Sequence, residues 1–390
     1  MTSASSAPSA DSRRITDWLS ARQAEMTEFL GTLVNIDSPS DSKADTDRYS
    51  AFLSRAFAGD GLRITTYPQE KVGTHFKATW HEELAPADQQ ILVILHMDTV
   101  FPVGEAARRP FRVEGDRAYG PGVCDMKHGH VQILYAIRAL EALGLAPKRQ
   151  ITVVASTDEE TGSLTSRGLI EEEARKSSTV FVMEPSVWPG SIKTSRKGTG
   201  RFTVRVKGRA AHAGANPEEG ISATDELARL ILAMHAYNNP QTGTTVNVGA
   251  IGGGTRANVV AAEAWGDVDF RAVTVAEADR VVPAILGLKA HNPEATVEIT
   301  GGLNRPPMER TPAIVALFQH ARSLANELGF DMGEAGTGVG SDGNFTAALG
   351  IPTLDGLGAV GGGSHGVSEF VLLRGLLERT ALLARLMQTV

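Results

Sequence analysis

The chain has 390 residues, of which 42% are hydrophobic and 21% are charged, and its formal net charge is −7. These proportions are typical of globular proteins, and the length is too great for one compact core, so we predict two domains. The acidic balance argues against nucleic-acid binding. The sequence contains no basic block and no apolar run long enough to indicate contact with a membrane. The single cysteine, Cys124, excludes an internal disulfide and metal sites built on several thiolates.

The first half of the chain predicts an α/β domain. Residues 1–12 lack the apolar core of a secretory signal, and we expect a disordered tail on a cytoplasmic protein. The sequence pattern predicts helices at about 15–34, 45–58 and 129–143, and apolar runs typical of buried strands at 91–95, 150–156 and 179–183. Alternating strands and helices predict a mostly parallel sheet flanked by helices.

A different pattern begins near residue 198. The segment RFTVRVKG alternates apolar and polar residues, and after it come a helix (222–237), two strands (244–251 and 262–272), a helix (275–288) and a strand (295–300). This βαββαβ order predicts a ferredoxin-like domain. The first pattern resumes after Pro306 with a helix (313–328) and a strand (351–354). We therefore predict a domain of residues 198–306 inserted between two parts, 13–197 and 307–390, of the α/β domain.

Residues of the types that bind metals follow the predicted strands of the α/β domain. They are His96 and Asp98 after the first strand, Asp158, Glu159 and Glu160 after the second, Glu184 after the third, and Asp125 in the loop before the long helix. Because parallel strands end at one edge of a sheet, these side chains should converge. Clustered carboxylates repel each other, whereas a pair of divalent cations would be bound by such oxygen and imidazole ligands. Each residue alone has a simpler explanation, such as a helix N-cap at Asp125 or a solvated turn at Glu159.

A histidine near the C-terminus is a further candidate ligand. His365 lies in the glycine-rich segment AVGGGSHGVSEF, after the α/β pattern has resumed. The other candidates include only one imidazole, which favours a role for His365 in the same site. A single loop histidine is often merely exposed, so both interpretations are open on this segment alone.

The ordered motifs HMDTV, GPGVCDMKHG, TDEETGS, MEPS and GGGSHGVSE resemble the di-zinc exopeptidase and deacylase family. That family includes aminoacylase, acetylornithine deacetylase, succinyl-diaminopimelate desuccinylase and the folate-hydrolysing glutamate carboxypeptidases. The resemblance implies two Zn²⁺ ions, with Co²⁺ or Mn²⁺ as substitutes. It implies that His96 and Glu184 bind one ion, that Glu160 and His365 bind the other, and that Asp125 bridges them. It also implies a cis peptide bond between Asp125 and Met126.

A hydrolytic mechanism follows from this ligand set. Two metal ions that share a water molecule lower its pKa towards neutrality, so that a metal-bridged hydroxide attacks the amide. The resemblance implies that Glu159 is the general base, which takes the proton and passes it to the leaving amine. The resemblance also implies that Asp98 orients His96, and we expect it to do so by accepting the second N–H of that ligand.

The resemblance extends to the inserted domain. His212 matches a histidine that reaches into the partner subunit's active site and stabilises the oxyanion, although a histidine in a surface turn is the simpler interpretation. Asn258 and Arg271 match positions that contact the substrate. Arg305 either binds a substrate carboxylate through two N–H groups or makes a local salt bridge. A homodimer is expected, with an edge strand of the inserted domain pairing with its copy.

Three further residues complete the sequence-based expectations. Asp342 and Gly343, in GVGSDGNF, are expected in the pocket wall. His128 stands where the family usually has a small residue, either as a solvated residue at the start of a helix or as part of the pocket lining.

We predict from these motifs a zinc hydrolase that cleaves an amide bond next to a free carboxylate in a small peptide or N-acyl amino acid. The motifs are most similar to those of the glutamate carboxypeptidase-like branch. The alternative is an N-acyl-amino-acid or acetylornithine-type deacylase, and a more remote one is a non-catalytic binding protein with the same fold. The serine-hydrolase motif GGSHG (362–366) has no histidine after it, and the dinucleotide-binding motif GVGSDG (338–343) is followed by too little chain for a βαβ unit.

Overall fold

The computed structural model describes residues 9–84 and 89–390. Its contacts divide the chain into two compact units. The larger unit comprises the chain up to Thr194 together with Arg310–Gly336 and Ser341–Val390, and the smaller unit comprises Ser195–Glu309 and Thr337–Gly340. The smaller unit is therefore an insertion in the chain of the larger one. The catalytic and dimerisation roles expected for the two domains stay predictions.

Helices and strands alternate along much of the described chain, in both units. The helices are α1 (Ala10–Ser20), α2 (Gln23–Val34), α3 (Lys43–Gly59), α4 (Glu105–Arg108), α5 (His128–Leu143), α6 (Arg167–Arg175), α7 (Ala223–His235), α8 (Val275–Leu286), α9 (Pro312–Glu327), α10 (Gly343–Ala348) and α11 (Leu373–Thr389). The strands are β1 (Arg63–Tyr67), β2 (His75–Trp80), β3 (Gln90–His96), β4 (Arg112–Glu114), β5 (Arg117–Tyr119), β6 (Ile151–Ser156), β7 (Ser177–Val182), β8 (Ile192–Arg196), β9 (Gly198–Lys207), β10 (Thr245–Gly253), β11 (Glu263–Ala272), β12 (Thr296–Arg305), β13 (Glu334–Thr337), β14 (Thr353–Leu354), β15 (Gly361–Gly362) and β16 (Phe370–Leu372).

The central sheet of the larger unit has the strand order β1-β2-β6-β3-β7-β14. Strand β3 is parallel to both β6 and β7, and β14 is parallel to β7, whereas β2 runs antiparallel to β6 and to β1. Every residue of β3 and β6 is buried because the sheet is covered on both faces, which explains their uninterrupted apolar sequences. The parallel register pairs His96 with Ser156, so β3 and β6 end at the same edge of the sheet.

The smaller unit contains an antiparallel sheet of order β10-β11-β9-β12. Strand β9 alternates buried and exposed residues, and its apolar side chains pack in one hydrophobic core with buried residues of α7 and α8. This is the predicted ferredoxin-like arrangement. The predicted fold class, a mostly parallel α/β domain with an inserted βαββαβ domain, is confirmed.

Several elements differ from the sequence-based expectation. The helix predicted over 15–34 is two helices separated at Ala21 and Arg22, where the Arg22 guanidinium lies over the Trp18 ring and donates to the Trp18 carbonyl. The tail predicted over residues 1–12 lies outside the described residues up to residue 8, and residues 10–12 belong to α1, which Ser9 caps. Strand β1 was not predicted because it lies at the sheet edge and its residues are largely exposed.

Within residues 9–84 and 89–390, every helix is too short or too polar to cross a membrane.

Adjacent residues of α8 test the packing of the smaller unit. Ile285 is 0% exposed and Leu286 is 40% exposed. Because Ile285→Ala leaves a cavity in the core, we expect it to lower the free energy of unfolding by about 2–5 kcal/mol, whereas Leu286→Ala should change it by about 0.5 kcal/mol or less. Chemical denaturation measures both values. Equal losses for the two variants would contradict the orientation of α8.

Candidate metal centre

His96, the last residue of β3, faces two carboxylates from other segments. Its Nε2 atom lies 3.1 Å from Asp125 Oδ1 and 3.6 Å from Glu184 Oε1. Asp125 belongs to the loop before α5, and Glu184 follows β7. Three segments that are distant in the sequence therefore bring one imidazole and two carboxylates together at the end of the sheet.

His365 faces a second pair of carboxylates. Its Nε2 atom lies 3.3 Å from Glu160 Oε2 and 3.5 Å from Asp125 Oδ2. Asp125 therefore directs one oxygen to each histidine, and each histidine has a glutamate of its own. Of these side chains His365 is the most exposed, because it lies in the turn closed by the Gly366 N–H and the Gly363 carbonyl.

These donor atoms fit divalent cations. One donor atom each from His96, Glu159 and Glu184 lie within 4.8 Å of one another, and so do donor atoms from His96, Asp125 and Glu160. The Glu160 Oε1 atom is buried and has no hydrogen-bond partner among the described residues. Buried carboxylates without a compensating charge are unfavourable, and oxygen and imidazole are common ligands of Zn²⁺.

Each of these groups shifts the pKa values of its neighbours. Burial by itself would lower the pKa of His96, but its interactions with Asp125 and Asp98 outweigh burial and raise this pKa well above its usual value. Hydrogen bonds to Asp125 and Glu160 raise the pKa of His365 to about 10. Burial would raise the pKa of Asp125, yet the two histidines hold it below its usual value. The anionic groups therefore stabilise positive charge at this position.

Asp98 contacts His96 through a different atom from the one predicted. The His96 Nδ1–H donates to the main-chain carbonyl of Asp98 at 2.9 Å, while the nearest carboxylate oxygen lies 3.6 Å away. The carboxylate instead accepts the N–H groups of Glu159 at 3.3 Å and Glu160 at 3.2 Å, and the Ser40 hydroxyl at 2.8 Å. Its oxygens therefore accept hydrogen bonds from the loop after β6 and from Ser40, and not from the imidazole. Asp98 thus orients both the imidazole and the loop that carries the two glutamates.

A second histidine supports His96 from the core. The His130 Nε2–H donates to the His96 carbonyl at 2.8 Å, and His130 Nδ1 accepts the Tyr49 hydroxyl at 2.8 Å. A carbonyl only accepts hydrogen bonds, so we assign the proton to Nε2. Burial lowers the pKa of His130 to about 3, so this histidine is neutral. Sequence reasoning did not assign it a role, since its position in a helix gives no motif signal.

Sequence reasoning also missed Glu369, which is fully buried. Its carboxylate accepts the N–H groups of Gly122, Cys124 and Asp125 at 2.8–2.9 Å. Burial raises its pKa to about 7, against the opposing effect of these donors. The available signal was an acidic residue four positions after His365 in the last motif. The Asp125–Met126 peptide bond is cis, as the resemblance implies.

The three other residues of the larger unit that the sequence singled out, Asp342, Gly343 and His128, lie in the core. Asp342 is buried and accepts the Ser163 hydroxyl, and a Cβ atom at Gly343 would lie 2.8 Å from Asp355 Oδ2. His128 is also fully buried, with its Nδ1 atom 3.0 Å from Gln132 Oε1. The solvated position considered for His128 is therefore wrong. Burial lowers its pKa to about 4, so it is neutral.

Four predicted residues, His212, Asn258, Arg271 and Arg305, belong to the smaller unit. His212 Nδ1 accepts the N–H groups of Gly214 and Ala215 at 3.1 and 3.0 Å, which leaves its proton on Nε2. The Asn258 main-chain carbonyl accepts the Ala213 N–H at 3.0 Å.

Both arginines make hydrogen bonds to neighbouring side chains. Arg271 makes two hydrogen bonds of 2.8 Å to the carboxylate of Asp269. Arg305 is buried, and its Nη1 atom donates to Asn304 Oδ1 at 2.9 Å. The guanidinium of Arg271 thus has an internal carboxylate partner.

Comparison with known proteins places the chain in a family. Residues 92–389 match Peptidase family M20/M25/M40. Carboxypeptidase G2 of Pseudomonas sp. (strain RS-16) is 33% identical over 303 residues, which are 76% of this chain and 73% of that protein. Acetylornithine deacetylase of Salmonella arizonae is 28% identical over 253 residues, which are 60% of this chain and 64% of that protein.

A solved structure has the same fold. It is the YXEP protein of Bacillus subtilis, described as a dinuclear metal binding peptidase from the M20 family. Its TM-score is 0.68 at 16% identity, and the match covers 95% of this chain and 98% of that chain. The family predicted from the motifs is confirmed: the chain belongs to peptidase family M20/M25/M40 and is a metallo-hydrolase that acts on amide or peptide bonds.

Proposed function

We propose that the protein is a two-zinc exopeptidase of the carboxypeptidase type, which cleaves an amide bond next to a free carboxylate. The observation that carries this proposal is the position of Asp125, which directs separate oxygens to His96 and His365. Each histidine also has its own glutamate, as expected for two ions that share one bridging ligand. The dinuclear metal site described for the YXEP protein supports the same stoichiometry.

The ligand assignment follows these contacts. His96 and Glu184 would hold one ion, Glu160 and His365 would hold the other, and Asp125 would be a ligand of both. When bound, such ions lower the pKa of water and polarise the amide carbonyl. Co²⁺ and Mn²⁺ are the proposed substitutes for Zn²⁺.

Glu159 is the proposed general base. Its main-chain N–H donates to Asp98, so the glutamate loop keeps its position beside His96. The Glu159 carboxylate accepts one proton from the attacking water as the new C–O bond forms. It then donates that proton to the nitrogen as the C–N bond breaks, so that the amine leaves in neutral form.

The substrate class rests on similarity to carboxypeptidase G2. We propose that Asn258, Arg271 and Arg305 contact the substrate, and that an arginine binds its free carboxylate. The bidentate pair with Asp269 means that Arg271 must exchange an internal carboxylate for one on the substrate. His212 carries its proton on Nε2, which supports its proposed role as an oxyanion donor to a partner subunit.

A deacylase of the acetylornithine type is the second candidate. It is favoured by the 28% identity to acetylornithine deacetylase. Both activities cleave an amide whose nitrogen belongs to an amino acid with a free carboxylate, and they differ in the acyl group that is removed and in the side chain of that amino acid.

A substrate panel distinguishes the two candidates. With added zinc, we expect glutamate-terminated conjugates and dipeptides to be hydrolysed with a higher kcat/KM than N-acetylornithine or other N-acyl amino acids. Chelation should abolish the activity, and zinc should restore it. Preference for N-acetylornithine would support the deacylase, and hydrolysis that survives chelation would contradict a metal-dependent site.

Substitution of Glu159 tests its role as the base. Glu159→Ala should lower kcat by about 10²–10⁴-fold because the proton acceptor is lost. Glu172→Ala is the matched control, since the Glu172 side chain is 64% exposed on α6. Retention of more than a few per cent of the wild-type rate by Glu159→Ala, at full zinc content, would exclude the proposed role.

We also propose a homodimer formed through the smaller unit. Strand β10 lies at the edge of its sheet, and two exposed apolar residues lie on β10 and α7: Ile251 (61% exposed) and Leu232 (72% exposed). An edge strand with apolar neighbours is suited to pairing with its copy.

Light scattering at micromolar concentration tests this dimer. We expect the full chain to be dimeric and Leu232→Asp to be monomeric, because a charge would be buried at the interface. Val113→Asp, at an exposed valine of the larger unit, should leave the dimer intact. A monomeric wild-type protein would also rule out the role of His212 across subunits.

A further inference from the structure

Glu369 connects two segments that each carry a proposed metal ligand. It lies four residues after His365 in the chain and immediately before β16. Its Oε1 atom accepts the N–H groups of Cys124 at 2.8 Å and Asp125 at 2.9 Å, and its Oε2 atom accepts the N–H of Gly122 at 2.9 Å. One buried side chain thus contacts most of the loop from which Asp125 extends.

The loop conformation explains why an anion is required there. Gly122 has φ +71°, a left-handed conformation, and a Cβ atom at this position would lie 2.7 Å from the Thr99 side chain. The turn directs several N–H groups towards one point, which is the geometry of a backbone anion-binding nest. A buried carboxylate with both oxygens in this nest has a single orientation and therefore fixes the loop.

We propose that Glu369 is a positioning residue that sets the location of Asp125 relative to His365 before any metal binds. Asp125 must direct one oxygen to each histidine, so a small rotation of its backbone would remove an oxygen from one of the two sites. The strand β16 begins at Phe370 and pairs with β5 and β15, which anchors Glu369 itself. This inference rests on the proposed two-metal site.

Removal of the charge at constant size tests the proposal. In Glu369→Gln, the side-chain NH₂ group must face either the Gly122 N–H or the N–H groups of Cys124 and Asp125, so at least one donor loses its acceptor. We expect the affinity for Zn²⁺, measured by calorimetric titration of the metal-free full chain, to fall by about 10–100-fold. Circular dichroism checks that the variant is folded.

Glu226→Gln is the matched control. Glu226 is 3% exposed in the smaller unit, and its carboxylate accepts the N–H groups of His291 and Asn292 at 2.6 and 2.9 Å. The two substitutions are chemically identical and both disturb a buried carboxylate that holds a loop. We expect Glu226→Gln to bind zinc with wild-type affinity. An equal loss in both variants, or wild-type affinity in a folded Glu369→Gln, would overturn the positioning role.

Zinc binding by the wild-type protein distinguishes failure of the proposed function from failure of this inference. If the wild-type chain binds no zinc, the proposed function fails; if it binds zinc and Glu369→Gln binds equally well, only this inference fails. Should Glu369→Gln not fold, hydrogen exchange of the metal-free wild-type protein decides the question. The N–H groups of residues 122, 124 and 125 should then exchange as slowly as those of β3, and rapid exchange would show that Glu369 does not fix the loop.

Discussion

The interaction of Asp125 with two imidazoles is the contact on which the proposed chemistry depends. Its two oxygens lie 3.1 and 3.5 Å from His96 and His365, and the two histidines belong to different chain segments of the larger unit, Met1–Thr194 and Ser341–Val390. Carboxylates this close to one another are stable only if positive charge lies among them. Protons on the histidines supply that charge in the protein alone, and divalent cations replace them when bound. The same arrangement thus explains both the electrostatics of the chain and its suitability for metal.

The parallel central sheet brings the proposed metal ligands together. Parallel strands β3, β6 and β7 end at one edge of the sheet, so the residues that follow them are neighbours although they are far apart in sequence. Hydrogen bonds then refine the positions. The Asp98 carboxylate fixes the glutamate loop after β6, and His130 supports the carbonyl of His96. Metal ligands oriented by such neighbours are held in place before the ion arrives.

Much of this could be predicted from the sequence, because buried parallel strands have uninterrupted apolar runs and ligand-type residues follow them. The motifs also identified the family. The details that could not be predicted depend on where side chains and main-chain groups point in the folded chain. Which atom of Asp98 contacts His96 depends on competing donors in another loop, and the burial of His128 depends on packing around α5. The last motif contains Glu369, but its role could not be inferred from the motif, since its partners are main-chain N–H groups some 245 residues earlier.

Crystallography of the zinc-loaded full chain, with anomalous diffraction at the zinc edge, tests the central claim most directly. The account predicts two peaks per chain, roughly 3.5–4 Å apart, with one oxygen of Asp125 bound to each at about 2.0–2.2 Å. A single peak, or two peaks neither of which contacts Asp125, would contradict the proposed centre.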